Sequence, residues 1–236
     1  MASHAPGPGL TLVSDLRRIF GDRLLSVVAY GPRLDGHPEA PLTAMALVAT
    51  LTLTDLEACA RIASEWSRRG IATPLLLPDE EFRESLDAFP LEYGEIVRAH
   101  EVLFGSSPFA QVTIDKDDLR RACETQVKSH LVHLREGFID TGGTPSNVAQ
   151  LVTASAAGFA ALLRNVARLN GVNTADRMQV THEGARLAGL DAALVSDILA
   201  LERPSAVPTT DAARLFPPYL AAVEQLAHSV DAWRDK

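Results

Sequence analysis

The amino-acid sequence predicts an α+β protein, in which a small mixed sheet with helices is followed by an all-α helical bundle. In roughly the first half of the chain, short apolar runs bounded by glycine and proline alternate with segments of helical periodicity. Beyond that point, apolar residues recur every three or four positions with only short interruptions. We therefore predict a disordered leader over residues 1–10, an α/β domain over residues 11–111 and a helical bundle over residues 112–236.

The first strand of the α/β domain, Leu24–Tyr30, is apolar along almost its whole length, which indicates burial on both faces. Helix starts are placed after Ser, Thr or Asp, because these side chains accept hydrogen bonds from the first N–H groups of a helix. The elements predicted in order are a helix from Thr11 or Ser14 to Phe20, strands Leu24–Tyr30 and Ala44–Leu51, a helix Asp55–Arg69 capped by Thr54, a strand Ile71–Pro78, a helix Glu80–Leu86 and a strand Leu91–Val97.

The helical domain begins with a long periodic segment that Gly142 and Gly143 end. Proline, aspartate and glycine then divide the rest of the chain into shorter helices. The predicted helices are Asp115–Ile139, Pro145–Asn170, Thr181–Ala188, Asp191–Glu202 and a last helix that starts at Asp211.

Composition excludes several classes of function. The net charge of −8 argues against extended nucleic-acid binding, which needs clustered Lys and Arg. The first residues lack the basic start and apolar core of a signal peptide, and no apolar run reaches the roughly 20 residues of a membrane span. We therefore expect a cytoplasmic protein without membrane partners. Cys59 and Cys123 lie in helix-like segments and are expected to be buried thiols.

A glycine turn between the first two strands carries the main functional signal. The segment Tyr30–Gly36 reads Tyr-Gly-Pro-Arg-Leu-Asp-Gly and resembles the glycine-serine turn of the polymerase-β-type nucleotidyltransferase superfamily. In that family the backbone N–H groups of the turn and its serine hydroxyl hold a nucleoside triphosphate. The resemblance therefore implies nucleotide-binding candidates at Gly31, Arg33, Asp35 and Gly36.

The resemblance extends over most of the chain. Two further segments, Phe89–Tyr93 and Leu103–Gly105, resemble a bacterial branch of the family in which a helical bundle follows the nucleotidyltransferase domain. A match of this kind would run from about residue 11 to residue 235. It implies the same order of domains that the periodicity predicts.

The acidic residues of that family are missing from the corresponding positions. The family places two carboxylates, one residue apart, at the start of the second strand, where this chain has Thr43 and Met45. Nucleotidyl transfer uses such carboxylates to hold two Mg²⁺ ions, and a thioether is a poor ligand for this hard cation. Pro32 replaces the serine of the turn and has no N–H to donate. Glu92 is the one candidate for a third carboxylate.

These departures favour a degenerate active site. The protein would then be a regulatory module, or a module that binds a nucleotide or another small ligand. One alternative is an active transferase that modifies a small molecule or protein, with acids from Asp35, Glu39 or Glu92. Mg²⁺ and a nucleoside triphosphate are its cofactors only in that case. The other alternative is a structural partner, whose helical bundle forms a homodimer or binds another protein.

Other residue patterns are weaker signals of function. His130 and His133 are three residues apart on a helix and could hold a metal, but hydrogen-bonded histidines are favoured because no third ligand is evident. Arg120, Arg121 and Lys128, with His133 and Arg135, form either a phosphate-binding stripe or a salt-bridged helix face. The sequence contains neither the G-x-S-x-G motif of hydrolases nor a P-loop.

Overall fold

The computed structural model describes residues 7–34, 36–172, 174, 176–201 and 210–234. The chain divides into two compact units, Met1–Asp115 and Lys116–Lys236. The first unit contains the sheet together with the helices around it, and the second is helical. The α+β fold class predicted from the sequence is therefore confirmed.

Within the described residues of the first unit, four strands form one mixed sheet in the order β3-β2-β1-β4. The central strand β1 is antiparallel to both β2 and β4, whereas β3 runs parallel to β2 at the sheet edge. Prolines at positions 74 and 78 are compatible with the location of β3 at the sheet edge, because proline cannot donate a hydrogen bond to a neighbouring strand. The strands are β1 Leu24–Tyr30, β2 Thr43–Val48, β3 Leu75–Pro78 and β4 His100–Gly105.

The helices of this unit correct three predictions. Leu91–Val97 is not a strand: it lies in a helix that starts at Pro90, where the fixed φ of proline favours the first helical position. The first helix starts at Pro8 rather than Thr11, so residues 8–10 of the predicted leader are helical, and residues 1–6 lie outside the described residues. The helices are α1 Pro8–Phe20, α2 Leu53–Arg68, α3 Asp79–Glu84 and α4 Pro90–Arg98.

Helix α2 is capped by Thr52 rather than by the predicted Thr54. The Thr52 hydroxyl accepts a hydrogen bond from the N–H of Asp55, and the Asp55 carboxylate accepts one from the N–H of Thr52, at 3.0 Å. Asp55 also receives two hydrogen bonds from Arg23, at 2.7 and 2.8 Å. The Arg23 guanidinium holds the pKa of the Asp55 carboxyl well below its usual range. This reciprocal arrangement satisfies the free N–H groups at the helix start.

The two faces of the sheet are both closed by apolar side chains. Helices α1 and α2 cover one face through a cluster that includes Leu12, Leu16 and Trp66. The other face is closed by α3, α4 and the segment after β4, through Phe82, Tyr93, Ile96 and Phe109. The candidate acid position Met45 belongs to this second cluster.

The second unit is a helical bundle built around α6. The two long helices fall close to their predicted bounds, and a short 3₁₀ segment at Thr210–Leu215 precedes the last helix. Helix α7 is capped by Asp176 and begins at Arg177, four residues before the predicted start at Thr181. The predicted end at Glu202 lies outside the described residues. The helices are α5 Lys116–Asp140, α6 Pro145–Leu169, α7 Arg177–Leu187, α8 Ala192–Ala200 and α9 Phe216–Ala232.

Among the described helices, only α6 is long and apolar enough to cross a membrane by length and composition. Its contacts are those of a core helix. Arg164 and Asn165 are both buried, and the Asn165 amide donates to the side-chain oxygen of Gln126 on α5 at 2.8 Å. A polar pair of this kind fixes one helix against another inside a bundle.

Candidate ligand-binding turn and the sheet face beside it

The turn after β1 has the backbone geometry that its glycines predict. Gly31 and Gly36 adopt φ values of +83° and +88°, which residues with a side chain rarely tolerate. A Cβ atom added at Gly31 would lie 3.7 Å from the Cβ of Thr43. The turn and the first residue of β2 are therefore in contact, as the resemblance to a nucleotide-binding turn implies.

The hydrogen bonds of the turn are largely internal. The N–H of Leu34 donates to the carbonyl of Gly31 at 2.9 Å, and the N–H of His37 donates to the carbonyl of Pro32 at 3.1 Å. Pro32 itself has no N–H. The turn therefore presents fewer donors to a phosphate group than a glycine-serine turn does.

One cation lies on this turn. Arg33 is half-buried, and its Nη1 donates to the carbonyl of Ala40 at 3.3 Å. The guanidinium carries further N–H groups that can bind an anion. Asp35, the other charged candidate of the turn, lies outside the described residues.

The second acid position is sealed inside the unit. The Met45 side chain has 0% relative exposure and pairs across the sheet with Val28 of β1. Phe82 packs edge-to-face against Tyr93 and Phe109, with ring centroids 5.1 and 5.8 Å away. Because these rings close the face over Met45, the position holds no water-accessible metal ligand.

The first acid position differs from the second. Thr43 is half-buried and pairs with Tyr30, the last residue of β1. Burial raises the pKa of the Tyr30 hydroxyl, so it remains protonated over the physiological range. Sequence reasoning overlooked Tyr30, because a tyrosine at a strand end carries no motif.

The remaining acid candidates do not complete a metal site. Glu92 is exposed in the first turn of α4 and does not lie on a strand, which corrects its predicted location. Glu39 is exposed in the loop after the glycine turn. Within the described residues, no group of three or more His, Cys, Asp or Glu side chains could hold a metal ion. The side chains of the described residues therefore do not fit a pair of Mg²⁺ ions.

The patterns noted in the helical unit have structural partners. His130 Nε2 lies 2.8 Å from the hydroxyl of Tyr219, and Nδ1 of His133 donates to the carbonyl of Ser129 at 2.8 Å. Both cysteines are buried free thiols. The basic stripe is salt-bridged, with ion pairs Arg120–Glu124, Arg121–Asp118, Lys128–Asp231 and Arg135–Glu224. These contacts match the structural alternatives predicted for both patterns.

The sheet topology, the glycine turn and the helical unit that follows define a nucleotidyltransferase-like fold. A solved structure of spectinomycin adenyltransferase from Enterococcus faecialis, with ATP and spectinomycin, superposes with a TM-score of 0.60. The likeness covers 93% of this chain and 98% of that one, at 11% sequence identity. No protein-family model matches the sequence, and no curated protein matches it. At this identity the likeness establishes the fold alone.

Proposed function

We propose that this protein is a catalytically degenerate nucleotidyltransferase-like protein, which binds a nucleotide or another small anionic ligand at the Gly31 turn. Its role is then that of a binding or regulatory module. The observation that carries the proposal is the burial of Met45 at the position of the second metal-binding carboxylate. A site that had only lost its acids would keep an open, hydrated face there, whereas this face is packed.

A carboxylate cannot be supplied to this face from elsewhere without unpacking it. The free-energy cost of moving an ionised carboxylate from water to a place among apolar side chains is far larger than the stabilisation that a loop contact provides. Thr43 contributes at most one neutral oxygen. The proposed loss of transfer activity therefore follows from the packing of the α/β unit as well as from the non-acidic residues Thr43 and Met45.

Ligand binding is supported by the groups that persist at the turn. Gly31 and Gly36 keep the backbone conformation of the turn, and Arg33 supplies a cation. The spectinomycin adenyltransferase with the same fold was solved with ATP and spectinomycin, so nucleotides are the first ligands to test. With one guanidinium and few free amides, binding should be weak and should decrease as salt concentration rises.

The loss of activity is tested with labelled ATP and Mg²⁺, by following transfer of the nucleotide to protein or to added small molecules. We expect no transfer above that of heat-inactivated protein. A robust signal that Glu92→Ala abolishes would overturn the proposal and establish the active-transferase alternative. A signal that Glu92→Ala leaves unchanged would point to acids in the glycine loop and would equally overturn it.

Ligand binding is tested separately by calorimetry with ATP, GTP and CTP, with and without Mg²⁺. We expect Arg33→Ala to weaken binding about tenfold, as for loss of one charge-assisted hydrogen bond. Arg61→Ala is the matched control, because Arg61 is exposed on α2 and its loss changes the net charge equally. If none of the nucleotides produces heat, light scattering after size exclusion decides whether the structural-partner alternative, with a homodimer, takes precedence.

A further inference from the structure

A serine and a histidine form a hydrogen-bonded pair in the α/β unit. His100 is the first residue of β4, and Ser107 follows two residues after the end of that strand. The Oγ of Ser107 lies 3.2 Å from the Nε2 of His100. The pair is seven residues apart in the chain and fits no motif, so the sequence did not reveal it.

The other ring nitrogen of His100 determines the direction of this hydrogen bond. Nδ1 lies 3.1 Å from the carbonyl oxygens of Ile96 and Val97, at the end of α4. Since a carbonyl oxygen only accepts, Nδ1 carries the proton and Nε2 carries a lone pair. The Ser107 hydroxyl therefore donates to Nε2. A nucleophile, a base and a group that orients the base are thus arranged as in nucleophilic catalysis.

Neighbouring groups hold this pair in place. The ring of Phe109 packs edge-on against the imidazole of His100, with centroids 4.6 Å apart. The N–H of Phe109 donates to the Oγ of Ser107 at 3.4 Å. Ser107 therefore accepts from the backbone and donates to the base, which leaves its second lone pair for attack on an electrophile.

Ser107 also lines a small cavity of about 210 Å³. Polar side chains contribute to its wall, including Ser106, Gln111 and the ion pair of Asp79 with Arg83, whose closest atoms are 2.9 Å apart. A cavity of this size accommodates a short acyl group rather than a nucleotide. This site is separate in its residues from the Gly31 turn.

We propose that Ser107 is an activated nucleophile, which accepts the acyl group of a small activated ester. Oγ of Ser107 forms a bond to the carbonyl carbon, and its proton passes to Nε2 of His100. The tetrahedral intermediate then collapses, the bond from carbon to the leaving oxygen breaks, and the departing phenolate or alkoxide takes up that proton. The products are an ester on Ser107 and a free alcohol, with neutral His100 restored.

The same hydrogen bonds also have a structural effect, because His100 caps the carbonyls at the end of α4. A change in stability therefore does not test the proposal, and chemical reactivity does. The probe is a fluorophosphonate, which reacts only with activated serine hydroxyls and whose adduct is located by peptide mass spectrometry. Hydrolysis of p-nitrophenyl acetate provides the second readout, as a burst of one p-nitrophenolate per chain.

We expect a single fluorophosphonate adduct on Ser107 of the full chain. Ser107→Ala should abolish both the adduct and the burst, whereas Ser106→Ala, a neighbouring serine of the same cavity, should retain both. His100→Gln should slow labelling by about a hundredfold or more, as for loss of a general base.

Three results would overturn the proposal. These are an adduct on Ser106, equal labelling of wild-type and Ser107→Ala protein, and a wild-type rate no greater than that of a urea-unfolded sample. If His100→Gln does not fold, as judged by circular dichroism, the position of the wild-type adduct and the Ser107→Ala variant still decide the question. Neither result depends on whether the Gly31 turn binds a nucleotide.

Discussion

The sheet face around Met45 and the core of the helical bundle differ in how they are packed. In the α/β unit, the sheet position where the resembling family has a carboxylate is occupied by the fully buried Met45. In the helical unit, by contrast, His130 and Tyr219 form a hydrogen bond of 2.8 Å, and Asn165 bonds to Gln126. Apolar side chains close the sheet face around Met45, whereas the core of the bundle contains hydrogen-bonded polar pairs.

The Gly31 turn and the Met45 position have different roles in the fold. The Gly31 turn keeps its left-handed backbone because the chain must still turn between β1 and β2. The acid positions have no comparable backbone role, so apolar packing can replace them. Buried polar pairs in a bundle are different, because removing one partner leaves the other unsatisfied. Substitutions at these positions should therefore lower the free energy of unfolding by different amounts.

The largest effect is expected for Met45→Asp. The variant loses apolar burial and places a carboxyl group in a closed apolar cluster, so the free energy of unfolding should fall by about 4 kcal/mol or more. Urea unfolding followed by the fluorescence of the buried Trp66, in a Trp233→Phe background, measures this. Met45→Leu, which conserves volume, should cost less than about 1.5 kcal/mol. An Asp variant as stable as the Leu variant would mean that the face is hydrated, and would remove the contrast between the sheet face and the bundle core.

A smaller effect is expected for Tyr219→Phe in the helical unit. Tyr219 is fully buried, and the substitution removes the hydroxyl that is hydrogen-bonded to Nε2 of His130. We expect a loss of about 1–3 kcal/mol by urea unfolding. Tyr93→Phe is the matched change in the α/β unit, where the tyrosine hydroxyl lies 3.0 Å from the half-buried Ser85. It should cost less, because Ser85 retains a hydrogen bond to the carbonyl of Phe82. Equal losses would contradict the contrast.

The stability of the helical unit should also depend on pH through His130. Burial, and to a lesser extent the neighbouring His133, lowers the pKa of His130. The unfolded chain therefore binds more protons, so stability falls as pH decreases below about 6.5 toward the folded pKa. Tyr219 on α9 and Ser155 and Gly158 on α6 face the imidazole and carry no charge at these pH values.

This pH dependence is measured as the urea midpoint of Trp233 fluorescence, in a Trp66→Phe background, between pH 7.5 and about 5. His130→Gln should reduce the loss of stability over that range, because a glutamine cannot titrate. The same loss in both proteins would show that His130 does not titrate with folding. His228→Gln is a suitable control, since His228 is exposed and its Nδ1 lies 2.8 Å from the carbonyl oxygen of Glu224.

The smallest effect is expected for Thr43→Asp. Thr43 is half-buried at the end of β2, where a carboxylate can reach water, so the change in stability should be about 1 kcal/mol or less. Calorimetry should show that the variant does not bind two Mg²⁺ ions, because the new carboxylate at position 43 has no second carboxylate at position 45. A large destabilisation would mean that Thr43 belongs to the sealed part of the face.

Much of the backbone could be predicted from local sequence patterns. β1 was predicted at its observed bounds, and the observed bounds of α5 and α6 lie within a few residues of the predicted ones. The bounds of such segments are predictable because the apolar pattern is regular and glycine or proline marks its ends. The prediction of a strand at Leu91–Val97 was wrong. Its first residues alternate between apolar and polar as in a strand, but Pro90 starts a helix there. The cap of α2 moved to Thr52, because Arg23, 32 residues from Asp55 in the chain, fixes that carboxylate.

The candidate site was less predictable than the fold. Thr43 and Met45 were recognised as non-acidic positions, but only packing shows that one is half-buried and the other is sealed. The proposed Glu92 carboxylate was misplaced together with its strand. The pair of Ser107 and His100 has no sequence signal, because its geometry depends on how the segment after β4 is packed, with Phe109 against the imidazole.

The sequence by itself determined strand β1, the long helices α5 and α6, the glycine turn and the identity of the residues at the acid positions. These are local properties, set by backbone preference and by the period of apolar residues. Only the tertiary structure decided which face of the sheet is closed, which polar groups are paired and which hydroxyl lies beside a base. These properties depend on the three-dimensional packing of side chains, whether the groups are 89 residues apart in the chain, as His130 and Tyr219 are, or seven, as His100 and Ser107 are.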